Sequence, residues 1–317
     1  MSNLTTSIQL TKDSRYRLNN GYHIPVMAYG VYLVPKEKAA ELVYQALVDG
    51  YRHIDSAVAY KNQRESSQGI AKFLKEHPDK ATREDIWFTT KIANGQQGYE
   101  ETRKAIEEIA ADVKEYIDYV DLVLIHSPKT SKEKRLGTWK ALQEYVCNPS
   151  NSILNVHSIG VSNYGIPHLK ELLGWEGLLV KPVVNQLELH PWLPHLKLRE
   201  YLVENDILAE AYCPLTHGFK LNDPELLELE KKYGILKIEI LLKWSLLQGF
   251  IVLVKTEKVE RLKQNLDVLP DGHPDELGGT SFGKVDLDEG ILEKLNKPES
   301  HDVLTWNGID PTLYKDP

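Results

Sequence analysis

Short apolar runs that break off at polar or ionisable side chains recur along the chain, with stretches of helical spacing between them. The clearest is Tyr51 to Ile54, which can pair and pack as a strand and leads straight into Asp55, Ser56 and Tyr60. The pattern returns in Pro25 to Tyr32, ending at Gly30, in Ile86 to Thr90, delivering Lys91, and in Val120 to Ile125, delivering His126, Ser127 and Pro128. Further on, Ile153 to Val161 delivers Ser162 and Asn163, while Val183 and Val184 lead into Asn185 and Gln186 with Glu188 and His190 beyond. Ile207 to Ala211 delivers Tyr212, and Phe250 to Val254 delivers Lys255 and Thr256.

Between these runs the apolar positions fall three and four apart. Lys36 to Leu47 places Ala39, Leu42, Val43 and Ala46 on one face and is closed by Gly50. Helices are likewise predicted near Glu65 to Lys75, Tyr99 to Val113, Thr138 to Val146, Pro167 to Leu173, Leu196 to Asn205, Leu226 to Tyr233, Glu239 to Leu247 and Lys258 to Leu266. From the strand ending at Gly30 onward this makes eight βα units, and about 250 residues is the size of a closed (β/α)8 TIM barrel. The strands are nearly continuous apolar runs, as parallel strands buried on both faces must be. A doubly wound open sheet would need a Gly-rich turn after an early strand to hold a dinucleotide, and no G-x-G occurs in the sequence.

The expected organisation is therefore an α/β fold in one domain over residues 1–317. It comprises a hairpin over 8–24 around Asn19-Asn20-Gly21, barrel units over 25–266, and a connection, C-terminal helix and tail over 267–317. Leu269 to Asp286 reads as a long connection, and Leu287 to Leu295 as the helix. The tail carries Trp306 and Tyr314 in polar surroundings and is expected either on the barrel wall or across the mouth.

Composition narrows the setting. With 42% hydrophobic and 26% charged residues the chain reads as a soluble globular protein. Its 38 basic and 46 acidic side chains leave a formal charge of -8, which gives no sign of a nucleic-acid surface but allows a local basic pocket for an anionic cofactor. Cys147 and Cys213 lie far apart and outside any CxxC, so a reducing, cytoplasmic setting is expected, without disulfide scaffold or structural zinc. The first residues contain neither a long apolar run nor a basic cluster, so no cleaved signal is expected. No segment reaches ~18 uninterrupted apolar residues, so none is expected to span a bilayer.

In a parallel barrel the carboxyl ends of the strands converge on one mouth, which would bring Asp55, Tyr60, Lys91 and His126 together. A carboxylate beside a lysine, with that lysine near a phenol, is expected to lower the phenol pKa: the ammonium favours the phenolate, and the carboxylate keeps the ammonium charged. Tyr60 could then donate a proton at neutral pH, with His126 hydrogen-bonding and orienting a substrate oxygen. Singly, each residue has a plainer use. Lys91 fits a surface lysine, His126 before Ser-Pro a structural loop histidine, and Asp55 a cap for the next turn.

These segments resemble the aldo-keto reductase superfamily over roughly residues 10 to 310. The resemblance is carried by RHIDSAVAY (52–60), FTTK (88–91), DLVLIHSP (121–128), IGVSN (159–163), NQLELHP (185–191), AYCPL (211–215) and KTEKVERLKQN (255–265), in that order. It implies a (β/α)8 barrel that reduces aldehydes and ketones with NAD(P)H. It also implies that Tyr60 is the general acid, that Asp55 and Lys91 tune it, and that His126 orients the carbonyl. Ser162, Asn163 and Gln186 match positions that hold the nicotinamide carboxamide, and Tyr212 matches the ring beneath it. Gly30, Val31 and Tyr32, together with Cys213, Pro214 and Leu215, belong to the implied cofactor surface. Lys255, Thr256 and Arg261 match the 2′-phosphate site, so NADPH is expected over NADH, and Gln264 and Asn265 match the adenine site.

The chain departs from the family pattern at Cys213 (commonly Ser), Gln264 (Glu), Val254 (Pro), Ala28 (Gly) and Val31-Tyr32 (Thr-Trp or Thr-Phe). The departures bear on cofactor affinity and pocket shape more than on the four catalytic types. Tyr32, Ala59, Phe88, Ile92, Ser127, Trp192, Leu215 and Trp306 are the candidate substrate-lining residues. Ser127 stands where many relatives carry a bulky aromatic, which suggests room for substituted ketones, keto esters or other extended carbonyls. A small-molecule carbonyl is the expected partner, with no metal, nucleic acid or membrane, and the chain is expected as a monomer or weak dimer.

Other readings follow from particular residues. Glu188, His190 and His195 have the donor types of a metal-dependent barrel hydrolase. Tyr233 and Lys237 spell a Tyr-x-x-x-Lys pair, but no Gly-rich phosphate loop accompanies it. A barrel that binds NADPH and serves a partner as a non-catalytic subunit is the third alternative, against which the intact quartet of Asp55, Tyr60, Lys91 and His126 stands.

Overall fold

A computed structural model of the protein describes residues 4–148, 153–272 and 283–316. Three short strands, β1 (Ser7–Gln9), β2 (Arg15–Arg17) and β3 (His23–Pro25), come first. The barrel strands follow: β4 (Met27–Gly30), β5 (His53–Asp55), β6 (Trp87–Ile92), β7 (Tyr119–Ile125), β8 (Asn155–Ser162), β9 (Val184–Glu188), β10 (Leu208–Tyr212) and β11 (Ile251–Val254). They pair in parallel in chain order, and the barrel closes where Val252, Leu253 and Val254 of β11 meet Met27, Ala28 and Tyr29 of β4. The eight-unit α/β barrel expected from the spacing is the observed architecture.

Helices α1 (Lys36–Asp49), α2 (Gln63–Glu76), α3 (Tyr99–Ile117), α4 (Lys132–Cys147), α5 (Ile166–Leu173) and α6 (Leu196–Glu204) wrap the first part of the barrel. Helices α7 (Pro224–Tyr233), α8 (Lys237–Leu247), α9 (Val259–Leu266) and α10 (Glu289–Leu295) complete the outer layer. In α1 the residues picked out by spacing, Ala39, Leu42, Val43 and Ala46, are buried together with Leu47. Gly50 ends the helix at φ 114, a left-handed turn that a side chain would strain. Helix α4 begins earlier than its apolar spacing indicates, because its first turn, Lys-Glu-Lys-Arg, is polar while the Ser131 hydroxyl caps it by accepting from the Lys134 amide at 3.4 Å.

Strand alternation decides what faces the barrel interior. Along β6, Trp87, Thr89 and Lys91 point in, whereas Phe88 and Ile92 join the layer between strands and helices and Thr90 bonds Gln63 of α2. The hairpin is shorter than expected: β2 pairs with β3 through Arg15↔Pro25 to Arg17↔His23. Its Leu18 and Ile24 pack on Ala28, Trp87, Leu122, Val184 and Ile251 and so close the amino end of the barrel. The residues around Ile8 pair elsewhere, antiparallel to β12 (Lys284–Asp286), with Ile8 opposite Val285. The middle of the expected connection between Leu269 and Asp286 lies outside the described residues. Among those described, no helix is long and apolar enough to cross a membrane.

Candidate active site

Asp55 ends β5 and lies in register with Thr89 of β6, so Lys91, two residues on, shares its inward face. Lys91 is fully buried, and its ammonium donates to Asp55 Oδ1 (2.7 Å), Asp55 Oδ2 (2.8 Å) and the Ser56 carbonyl (2.7 Å). A single 3-10 turn after β5, Val58–Tyr60, brings the Tyr60 hydroxyl to 3.4 Å from the same nitrogen. His126 follows β7, its amide bonded to the Ile92 carbonyl at 3.2 Å, and its ring lies 5.7 Å from that of Tyr60 at 74°. The four residues read from three strand ends meet at one mouth.

Their electrostatics differ from expectation in one respect. Lys91 directs its shortest bonds to Asp55 and Ser56, and burial, followed by the charge of Asp55, pushes the Tyr60 phenol well above its ordinary pKa rather than below it. Tyr60 is thus a neutral O–H donor at physiological pH. Burial, assisted by the Lys91 charge, lowers His126 to about 3, so its imidazole is also neutral.

The mouth opens into a cavity of about 740 Å³. Ser162, Asn163, Gln186 and Tyr212 line it and are already bonded to one another. The Ser162 hydroxyl donates to the Gln186 carbonyl (2.9 Å), the Asn163 amide donates to the His126 carbonyl (2.9 Å), and the Tyr212 hydroxyl donates to Asn163 Oδ1 (2.8 Å). Gly30, Tyr32, Cys213, Pro214, Leu215 and Lys255 also border the cavity. Val31 instead packs into the core, and Thr256 is buried with its hydroxyl accepting from the Lys258 amide (3.0 Å). Arg261 and Gln264 lie on the exposed face of α9 and Asn265 on its buried side; none of the three borders the cavity. Burial, ahead of the charge of Glu188, raises the Cys213 thiol well above its usual pKa.

The family model described as Aldo/keto reductase family matches residues 27–271. This chain belongs to the aldo/keto reductase family. Its members are NAD(P)H-dependent aldehyde and ketone reductases. The chain is 39% identical to the uncharacterized oxidoreductase YJR096W of Saccharomyces cerevisiae, over 93% of this chain and 98% of that protein. It is 35% identical to glyoxal reductase of Bacillus subtilis, over 89% and 93% of the two chains. A Gox0644 mutant crystallised in complex with NADPH superposes with a TM-score of 0.76 at 31% identity, covering 96% of this chain and 99% of that one.

Within this aldo/keto reductase the substrate-lining expectations divide. Tyr32, Ala59, Leu215 and Trp306 border the cavity. Phe88 and Ile92 do not, because alternation along β6 turns them outward once Lys91 points in. Ser127 is fully buried with its hydroxyl donating to Asn94 Oδ1 (2.8 Å) and does not border the cavity. Trp192 is buried beside the mouth, where its carbonyl accepts from the Asp302 amide (2.8 Å), without lining the cavity. Leu33, His217 and Phe219 line it and were not anticipated. They sit in loops whose sequence carries no periodic signal.

The tail does both things the sequence allowed. Leu304 to Asn307 form one wall of the cavity. Farther on, Asp316 pairs with Arg135 of α4 (2.7 Å) and the Tyr314 carbonyl meets His168 of α5 (2.9 Å). Glu188, weighed above as a metal ligand, secures the tail. It accepts from the Leu304 amide (2.8 Å), the Thr305 amide (3.2 Å), the Thr305 hydroxyl and His190 Nε2 (3.0 Å). His195 instead faces the ring of His301 at 6.0 Å, and no group of three or more ligand-type side chains suited to a metal occurs among the described residues. The Trp306 indole then donates to the Tyr212 hydroxyl at 3.0 Å.

Proposed function

We propose that this chain reduces aldehydes and ketones to alcohols with NADPH, Tyr60 protonating the carbonyl oxygen. The observation that carries the reading is the 3.4 Å approach of the Lys91 ammonium to the Tyr60 hydroxyl, beside the His126 ring and at the mouth of a large cavity. The donor set fits a nicotinamide nucleotide: a flat ring from Tyr212, amides from Asn163 and Gln186, a hydroxyl from Ser162, and Lys255 at the rim for a phosphate. The NADPH complex of the similar Gox0644 supports this cofactor.

When bound, the reduced nicotinamide supplies a hydride to the carbonyl carbon. Neutral His126 donates a hydrogen bond to the carbonyl oxygen and aims it at Tyr60. As charge develops on that oxygen, the Tyr60 O–H transfers its proton to it, completing the alcohol and leaving a phenolate. Lys91 stabilises the phenolate, and Asp55 holds Lys91 in place. In the reverse direction the phenolate takes the alcohol proton.

The similarity to glyoxal reductase supports aldehyde substrates. Extended carbonyls such as substituted ketones and keto esters are supported by Leu33 and Phe219, which line the cavity while 65% and 69% exposed and so give a protruding tail an apolar rim.

The test is NADPH oxidation against aldehydes, α-keto esters, β-keto esters and sugars, with Tyr60→Phe alongside. The substitution should reduce turnover by roughly 10²- to 10⁴-fold and leave NADPH affinity within about twofold. Undiminished turnover removes Tyr60 as the proton donor. Activity confined to the smallest aldehydes removes the extended-substrate reading.

A further inference from the structure

Beneath the quartet lies a second buried carboxyl that the reaction above does not use. Glu210 is the middle residue of β10, in register with Gln186 of β9, and it points into the barrel with no exposed surface. Gln186 Nε2 donates to Asp55 Oδ2 at 2.9 Å and to Glu210 Oε2 at 3.0 Å. An amide nitrogen carries two protons, so both are committed. The orientation of the amide is fixed by chemistry: Asp55 faces Lys91 at 2.7 and 2.8 Å as an accepting carboxylate, so the Gln186 atom turned toward it has to be the nitrogen.

We infer that Glu210 is a positioning residue, which with Asp55 holds the Gln186 amide at two points so that Gln186 meets the nicotinamide carboxamide only through its oxygen, as an acceptor. The inference rests on the cofactor reading above. One anchor would leave the amide free to rotate about its last torsion, whereas two anchors, Asp55 on β5 and Glu210 on β10, the strand beside its own β9, fix its plane. A fixed acceptor selects the carboxamide orientation that offers an N–H, and with it the ring face turned toward the carbonyl.

The surroundings of Glu210 set its charge. Asp55 and His53 face it from β5, Lys91 from β6, Gln186 from β9 and the apolar Ile251 from β11, with Tyr60 within electrostatic reach. Burial and then the charge of Asp55 raise the Glu210 carboxyl to about 8, against the pull of the Gln186 bond and Lys91. At neutral pH Glu210 is mostly protonated. Its Oε1, which has no hydrogen-bond partner, lies 3.7 Å from Nε2 of His53, and burial keeps that ring neutral by lowering it to about 3. Above pH 8 the ionised carboxylate adds a second negative charge beside Asp55 and makes the Tyr60 phenolate harder to form.

The experiment compares wild type, Glu210→Gln and Glu210→Leu by fluorescence titration with NADPH, by kcat and KM from pH 6 to about 10, and by thermal melting. Glu210→Leu should weaken NADPH binding about tenfold. Glu210→Gln, whose oxygen accepts the same amide proton, should restore affinity to within about twofold. The wild-type log kcat profile should change slope near pH 8, and the glutamine variant should lack that change. NADPH affinity in Glu210→Leu within twofold of wild type, or Glu210→Gln as weak as Glu210→Leu, overturns the inference. Should Glu210→Leu fail to fold, the glutamine profile decides: loss of the slope change near pH 8 supports it and persistence overturns it. Failure of the wild type to bind NADPH would instead remove the cofactor reading, which separates the two outcomes.

Discussion

The grip of Glu188 on the C-terminal tail gives the most quantitative expectation. Glu188→Ala removes the acceptor for the Leu304 amide, the Thr305 amide and the Thr305 hydroxyl. A hydrogen bond contributes roughly 1 kcal/mol net, and about 1.5–3 kcal/mol when one partner is charged. Leu304 and Thr305 are half-buried, so water can replace part of the loss and the lower figure applies to each bond. The docked state of this segment should lose about 3 kcal/mol, roughly a hundredfold in its opening equilibrium. The distal tail stays tethered through Arg135 and Asp316, so the expected change is local.

Hydrogen exchange should show the protection of the Leu304 and Thr305 amides falling by about a hundredfold. KM for carbonyls with long apolar tails should rise as Trp306 leaves the cavity wall. Burial pushes the Glu188 carboxyl up, but the bonds from His190, Thr305 and Leu304 outweigh it and hold the group below its ordinary 4.5. A depressed acid stabilises the docked tail fully above that ordinary value, and the effect is lost as pH falls through the lower docked value. The anchor should therefore hold from neutrality down to about pH 4.5 and fail only below it. Protection of the two amides within threefold of wild type in Glu188→Ala would refute the reasoning.

At Gly165 an added Cβ would overlap the carbonyl oxygen of Thr312, so Gly165→Ala should displace the last turn of the tail at a cost of about 1–3 kcal/mol; an unchanged melting temperature contradicts this. Glu257 accepts from Lys255 at 2.9 Å, an exposed pair with a typical strength of about 0.2–1 kcal/mol. Glu257→Gln should free Lys255 and tighten NADPH binding about two- to fivefold without altering NADH, and equal shifts for both cofactors would exclude Lys255 from the 2′-phosphate site. Asp121 is raised to about 6 by burial, which its 2.8 Å bond to Arg83 offsets only in part. A raised acid stabilises the fold fully below its ordinary 3.8 and loses that contribution as pH rises through 6. Asp121→Asn should accordingly flatten the melting temperature between about pH 4 and 6, which thermal denaturation across that range will check.

The barrel was legible because each strand is an apolar run cut off by polar groups, and Asp55, Lys91 and His126 mark three of those cuts. What local pattern could not reveal was pairing at long range. Ser7 to Gln9 look like half of a hairpin until Lys284 to Asp286 turn out to be their partners. Alternation would have found more than composition did. With Lys91 inward, Phe88 and Ile92 have to be outward, and with Tyr212 at the mouth, Glu210 two residues earlier has to lie inside the barrel. Composition alone does not mark Glu210, a single acid between Ala209 and Ala211. The lowered phenol pKa expected at Tyr60 gives way to a raised one because burial, followed by the charge of Asp55, outweighs a Lys91 ammonium whose short bonds go to Asp55 and Ser56.

Leu18 and Ile24 act as a stopper at the far end of the barrel, which turns the interior into a cul-de-sac. On the proposed function, cofactor and carbonyl would share one doorway, and the one seated deeper would arrive first and depart last.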